Sequence, residues 1–239
     1  MRSADGHVSS GSRPYTLAIE GATYRGSVAL LRGSEVVCER ELSGEDAGGA
    51  RAGRGERLMP AIAECFAEAG LKGDAIRRIV CGAGPGSFTS LRIAGSVAKG
   101  LAVGYGVPLF AVSSLLLGVS GAKPPLPPGD YLSVLDAMRD EFFASRIVYR
   151  PDGGEYSAEP ARILSRLDLD EFRAREKSVR VVGPGQEIDA HPHARGVAPV
   201  LDQVLKSEPV DLAGWEPDYG RLAEAQVRWE AVHGRPLTA

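Results

Sequence analysis

Residues 80–107, VCGAGPGSFTSLRIAGSVAKGLAVGYGV, read as a short buried strand, a glycine-rich turn and a long helix built from small residues. Glycines 82, 84 and 86 allow a sharp turn at positive φ, and a helix starting near Ser87 offers unpaired N–H groups to whatever fills that turn. The helix carries two apolar stripes. Leu91, Ala94, Ala98, Leu101, Ala102 and Tyr105 form the first, and Ile93, Val97, Gly100 and Gly104 the second. A helix lying on a sheet needs only one, so the second predicts a close approach by another helix, in this chain or in a partner.

Outward from this segment, Thr16–Glu20, Gly26–Leu31 and Glu35–Glu41 read as a three-strand antiparallel start, with a turn at Arg32-Gly33-Ser34. After a glycine-rich stretch at 43–55, Leu58, Ile62, Cys65, Phe66 and Ala69 recur at helical spacing and Gly70 supplies a stop. Arg78–Cys81 and Pro108–Val112 are further strands. The order βββ-α-β-α-β is that of a mixed α/β sheet and is expected to end near Ser114. The proline-rich run 122–129 then marks a stiff surface connection.

In the second half, Tyr131–Asp136 and Glu141–Tyr149 read as strands joined around Arg139, Leu167–Arg175 as a helix and Val179–Val182 as a strand before Gly183-Pro184-Gly185. Residues 186–209 carry little pattern, 219–232 read as a closing helix, and no internal repeat is visible. This gives a loose extension at 1–13, a first domain at 14–114 with the two-faced helix, and a second at 115–239 whose last helix packs back on the first.

The 239 residues carry a net charge of −3 and are 44% hydrophobic, enough for a substantial core. No apolar run approaches the roughly 20 residues of a membrane span, so a cytoplasmic protein without membrane contact is expected. The acidic balance argues against gripping nucleic acid alone. Cys38, Cys65 and Cys81 sit in apolar sequence and read as reduced, buried thiols. His191 and His193 flank Pro192 in an irregular loop, and none of the four histidines has the helical i, i+4 spacing of a metal pair, so no metal site is expected.

The glycine run is not a dinucleotide fingerprint, because Ser87 stands where the third glycine belongs. Nor is it a Walker loop, because no Gly-Lys pair is present. A phosphate site at Gly84, Gly86, Ser87 and Thr89, with Glu20 and Asp136 as carboxylates at strand ends, is the minor reading beside a tight structural turn. Ser96 and Lys99 match an acyl-enzyme spacing, but Ser-Asp-Asn and Lys-Thr-Gly are both missing.

Gly84-Pro85-Gly86-Ser87-Phe88-Thr89-Ser90-Leu91-Arg92-Ile93, followed by Ala98–Ala102 and by Val107-Pro108 through Ser114, closely resembles the TsaB (YeaZ) family. Leu17–Thr23, Glu56–Pro60, Leu135–Glu141 and Pro217–Arg221 agree in order. Glu20 stands where the family usually has Asp, Ser90 where it has Gly, and Gly53-Arg54-Gly55 where His-Ser/Thr is common.

The resemblance implies the ASKHA (actin/Hsp70-like) fold, with two α/β domains of mixed sheets and crossover helices. It also implies a non-catalytic supporting role in making N6-threonylcarbamoyladenosine at position 37 of ANN-decoding tRNAs. A TsaD-like catalytic subunit would bind through Met59, Ala63 and Phe66 on the first helix and Ile93, Val97 and Gly100 on the second, with Arg92 at the rim. A TsaE-like ATPase and tRNA would be met only in the complex, and without a partner the chain is a homodimer or a monomer. The chain would have no cofactor of its own, with ATP or ADP and a metal ion belonging to the assembled complex. An independent ATPase or kinase on the same fold is the alternative, ahead of a peptidase.

Overall fold

A computed structural model describes residues 13–42, 54–150, 155–221 and 232–233, with the side chains of the first helix described from Arg57 onward. The expected extension at 1–13 falls, except for Arg13, outside the described residues. So does the body of the expected helix 219–232.

Strands β1 (Tyr15–Glu20), β2 (Ser27–Arg32) and β3 (Glu35–Glu41) form the expected meander. Helix α1 (Arg54–Glu68), β4 (Ile76–Gly82), α2 (Phe88–Tyr105) and β5 (Leu109–Val112) follow. The first sheet has the order β3-β2-β1-β4-β5, antiparallel on the meander side and parallel on the other. The central strand β1 is buried on both faces, as a strand with a parallel neighbour and cover on each side must be. Leu17 and Ile19 point to a core shared with α1 and α2, and Ala18 points to the opposite core, following the two-residue period of a strand.

Ser114–Ser120 is a helix, α3, where the sequence pattern showed only the end of the first half. Residues 114–119 are all buried, so α3 has no polar face and no amphipathic signal to read. Strands β6 (Gly129–Asp136), β7 (Glu141–Arg150), β8 (Glu155–Ala158) and β9 (Arg162–Ser165) precede α4 (Arg166–Arg175), β10 (Arg180–Gly183) and the two-residue β11 (Ile188–Asp189). The second sheet runs β8-β7-β6-β10-β11, and β9 also pairs with β7. Helix α4 is fixed by a capping box, in which Ser165 Oγ accepts from the Asp168 N–H and Asp168 accepts from the Ser165 N–H.

The weakly patterned stretch 186–209 contains a 3-10 helix over Ala194–Val200 and a turn of α-helix, α5 (Leu201–Val204). Together with α3 these segments fill a core that joins Ala18, Val80 and Phe110 of the first sheet to Tyr131, Ile147 and Val182 of the second. The layers are therefore α1 and α2, the first sheet, the buried helical layer, the second sheet, and α4 over Leu132, Val134, Phe142 and Val181. Burying one such leucine, isoleucine or phenylalanine contributes about 1.5–3 kcal/mol, so the middle layer binds the two sheets firmly.

Candidate functional site: a packed glycine turn and an open helix face

The turn between β4 and α2 is held by the chain's own groups. Gly84, at φ 90°, donates its N–H to Ser114 Oγ at 3.0 Å and accepts from the Ser114 N–H at 2.9 Å. Ser87 N–H donates to the Ala22 carbonyl and Asp218 N–H to the Ala83 carbonyl, each at 2.7 Å. A Cβ on Gly84 would stand 2.0 Å from the Asp218 carbonyl oxygen, and one on Gly86 2.2 Å from that of Ala22. These glycines are thus demanded by backbone packed against backbone. The N–H groups of Gly84 and Ser87, which a phosphate cradle would use, are engaged internally, and Thr89 is exposed.

Glu20, at the end of β1, is 1% exposed. Its carboxylate accepts from the Ala22 N–H at 2.5 Å and from Ser114 Oγ at 3.0–3.1 Å. Burial pushes its pKa up from the ordinary 4.5 to about 7, against the opposing pull of those donors. Ser114 is the hub. It ties Glu20 to Gly84, a link that 94 and 30 residues of separation concealed in the sequence. Asp136 ends β6 but is exposed, with Oδ1 accepting from the Met138 N–H at 2.7 Å. Ala22, Leu115, Leu135 and Ala137 pack in one apolar cluster where the ends of β1 and β6 meet.

On the helices, Leu91, Ala94, Ala98 and Ala102 are buried on the sheet side of α2, as the first stripe predicts. The second stripe divides. Ile93 and Val97 are half-buried against the outer core, whereas a Cβ at Gly100 or Gly104 would meet no atom within 4 Å. On α1, Met59 is 47% exposed and Ala63 is exposed, but Phe66 packs with Leu58, Ile62 and Cys65 in the core. Phe66 lies on the stripe that faces the sheet, which is why it cannot present its ring to a partner. Arg92 is exposed over the Phe88 ring at 4.8 Å, and no carboxylate pairs with it among the described residues.

The segment 210–221 is a strap across α2 that the sequence pattern did not reveal. Val210 N–H binds the Leu109 carbonyl, Lys99 Nζ donates to the Trp215 carbonyl at 2.9 Å, and Pro217 lies against Gly95. Tyr219 stacks on Phe88 with centroids 4.5 Å apart, and Arg221 pairs with Glu141. Trp215 and Pro217 were the available signal, an aromatic and a proline in a stretch with no helical period. A shallow cavity of about 30 Å³ between α1, α2 and the β1–β2 loop, walled by Tyr24, Leu58 and Ile93, has room for little more than water.

A family model described as TsaD: tRNA N6-adenosine threonylcarbamoyltransferase matches residues 50–168. The tRNA threonylcarbamoyladenosine biosynthesis protein TsaB of Haemophilus influenzae is 32% identical over 143 residues, which are 59% of this chain and 58% of that protein. The protein of the same name in Bacillus subtilis is 26% identical over 234 residues, 89% of this chain and 96% of the other. Among solved structures, YeaZ from Pseudomonas aeruginosa superposes with a TM-score of 0.69 at 23% identity, covering 86% of this chain and 99% of that one. Two mixed sheets about a shared helical layer, with crossover helices outside, define an α/β protein of the ASKHA class. Within that class the chain is similar to proteins named TsaB and YeaZ.

Proposed function

We propose that this chain is a non-catalytic supporting subunit in the synthesis of N6-threonylcarbamoyladenosine in tRNA, and that it binds and stabilises a TsaD-like catalytic subunit. The observation that carries this reading is its identity with proteins named for that biosynthesis, 96% of whose length is covered in one case. The helix faces supply the physical means. Met59, Ala63, Ile93, Val97 and Gly100 offer apolar and small side chains on the helix faces of the 14–114 half, with Arg92 at the rim free to meet a carboxylate across an interface. Without a partner, the same surface pairs two copies of the chain.

In this reading ATP or ADP and any metal ion belong to the assembled complex, where tRNA and a TsaE-like ATPase are also met, and the site of action is the cytoplasm. Among the described residues no helix is long and apolar enough to cross a membrane. The engaged N–H groups of the glycine turn lend no support to an independent ATPase. The test is co-purification with the TsaD-like subunit of the same organism, followed by nucleoside mass spectrometry of tRNA incubated with either chain or both. Formation of the modified nucleoside only with both chains is expected. A stable TsaD-like subunit that modifies tRNA equally well without this chain would sink the proposal.

A further inference from the structure

A second, polar cavity lies away from the helix faces and the glycine turn. It measures about 150 Å³ and sits where the β1–β2 loop, the end of β3, the segment after α3 and residues 189–195 converge. Arg25, Lys123 and Arg195 reach it, and His191 and His193 form part of its wall. His193 is 3% exposed, and its Nδ1 accepts from the Arg195 N–H at 3.0 Å. A neutral imidazole carries a single proton, so this acceptor places the proton on Nε2. That Nε2–H has no hydrogen-bond partner among the described residues, and neither does the buried Nδ1 of His191.

The surroundings favour an incoming acceptor. Burial, reinforced by Arg195, lowers the His193 pKa to about 3, and burial with Arg25 lowers that of His191, so both rings stay neutral near pH 7. Lys123 and Arg195 share Glu39. Asp189 accepts from the Gly185 N–H at 2.9 Å. Glu41, 47% exposed at the rim, stays 3.7 Å from His193 Nε2 and 3.9 Å from Arg195, beyond hydrogen-bonding distance. Arg25 forms no ion pair among the described residues. A bound cation would need acceptors, whereas the buried ring of His193 presents a donor.

We propose that this cavity binds a small oxyanion, of carboxylate or phosphate type, which accepts from His193 Nε2–H and pairs with Arg25. The two imidazoles would report the anion directly in ring ¹H–¹⁵N spectra of the full chain. Inorganic phosphate and acetate are titrated separately at constant ionic strength in sodium chloride. A saturable shift of both rings in the millimolar range is expected, with phosphate alone marking a phosphoryl site and both anions a carboxylate-sized one. Arg25→Gln removes an unpaired surface charge, should leave folding intact, and should weaken binding about tenfold. Glu41→Gln should tighten it. No saturable shift with either anion, or binding that Arg25→Gln leaves unchanged, overturns the proposal whatever Glu41→Gln does.

Discussion

With β9 set aside, the two sheets share one strand order, third-second-first-fourth-fifth, yet the loops after their first strands are built in opposite ways. After the first strand, Glu20 is buried and bound on both sides, while its counterpart Asp136 is exposed at the start of a tight turn. After β4, Gly84-Pro85-Gly86 lies beneath Ala22 and residues 218–220 along its whole length, whereas after β10 only the first glycine of Gly183-Pro184-Gly185 is packed, its Cβ position 2.2 Å from the Val134 carbonyl oxygen, and a Cβ on the last would meet nothing within 4 Å. The outer helices differ in the same sense. Helix α2 shows Val103, Gly100 and Gly104 to solvent, whereas α4 shows Asp168, Asp170, Glu171, Arg173 and Arg175. In the first half, rigid turns and a free apolar face occur together, the arrangement suited to holding a partner surface in fixed geometry. The outer helix of the second half shows mainly charge, with Leu167 its one large exposed apolar side chain among the described residues.

The largest expected effect breaks the equivalence of the two glycine turns. Gly84→Ala combines a left-handed backbone with a methyl 2.0 Å from the Asp218 carbonyl, so either the strap or the turn must move. A loss of about 3 kcal/mol or more in urea unfolding is expected, against about 1–2 kcal/mol for Gly185→Ala, where only the positive φ matters. Equal losses would show that Gly84 is no more tightly packed than the open end of the second turn at Gly185.

The next concerns Glu20. Its carboxyl binds a proton more tightly when folded, so between about pH 4.5 and 7 the folded state holds more protons than the unfolded chain. Stability should therefore be fullest below that window and decline as pH rises through it, by on the order of 3 kcal/mol. Glu20→Gln keeps the volume and one acceptor oxygen for Ala22 and Ser114, and should flatten this slope. An unchanged slope would mean that the buried carboxyl is not the group responsible.

Helix α2 was legible because its helical period survives where one side meets water, and the strands of the first sheet because short apolar runs end at glycine or charged turns. What failed to show had lost that contrast. Helix α3 is buried all round, and the strap 210–221 packs through Trp215 and Pro217 without regular structure. The repeated strand order left no mark because the two halves share a pattern of burial and not residues. Spacing marked Ile93, Val97 and Gly100 as a second stripe, yet Phe66 sits with Leu58 and Ile62 on the sheet side of α1, where a position one residue round the helix decides core or surface. Glu20 was visible as a strand-end acid, but its partner Ser114 lies too far along the chain for local pattern to connect them.

If the first half alone carries the partner face, Val97→Glu and Gly100→Leu should each weaken association with the TsaD-like subunit at least about tenfold, roughly 1.4 kcal/mol. Gly100→Leu meets open space in the isolated chain, so its unfolding midpoint should shift little. Arg173→Glu on α4 should leave association unchanged. Surface plasmon resonance on the three variants sharpens the comparison, and a loss caused by Arg173→Glu as large as that from Gly100→Leu would move the interface to the second half.

The smallest effect lies in the β6–β7 turn. Met138, Arg139 and Asp140 all adopt left-handed backbone, at φ 65°, 57° and 63°, which L-residues other than glycine adopt at a cost. The turn is held by Asp136 accepting from Met138, by Ala137 N–H donating to the Glu141 carbonyl, and by Arg166 N–H donating to the Asp140 carbonyl. Met138 is 66% exposed and gives little packing in return. Met138→Gly removes the Cβ clash without disturbing these backbone bonds, but it also frees the unfolded chain, which takes back part of the gain. A net stabilisation of about 0.5 kcal/mol is expected, opposite in sign to Gly185→Ala in the same half. Thermal unfolding of the two variants side by side decides it. A clear destabilisation by Met138→Gly would mean that this methionine makes a contact which outweighs the backbone strain.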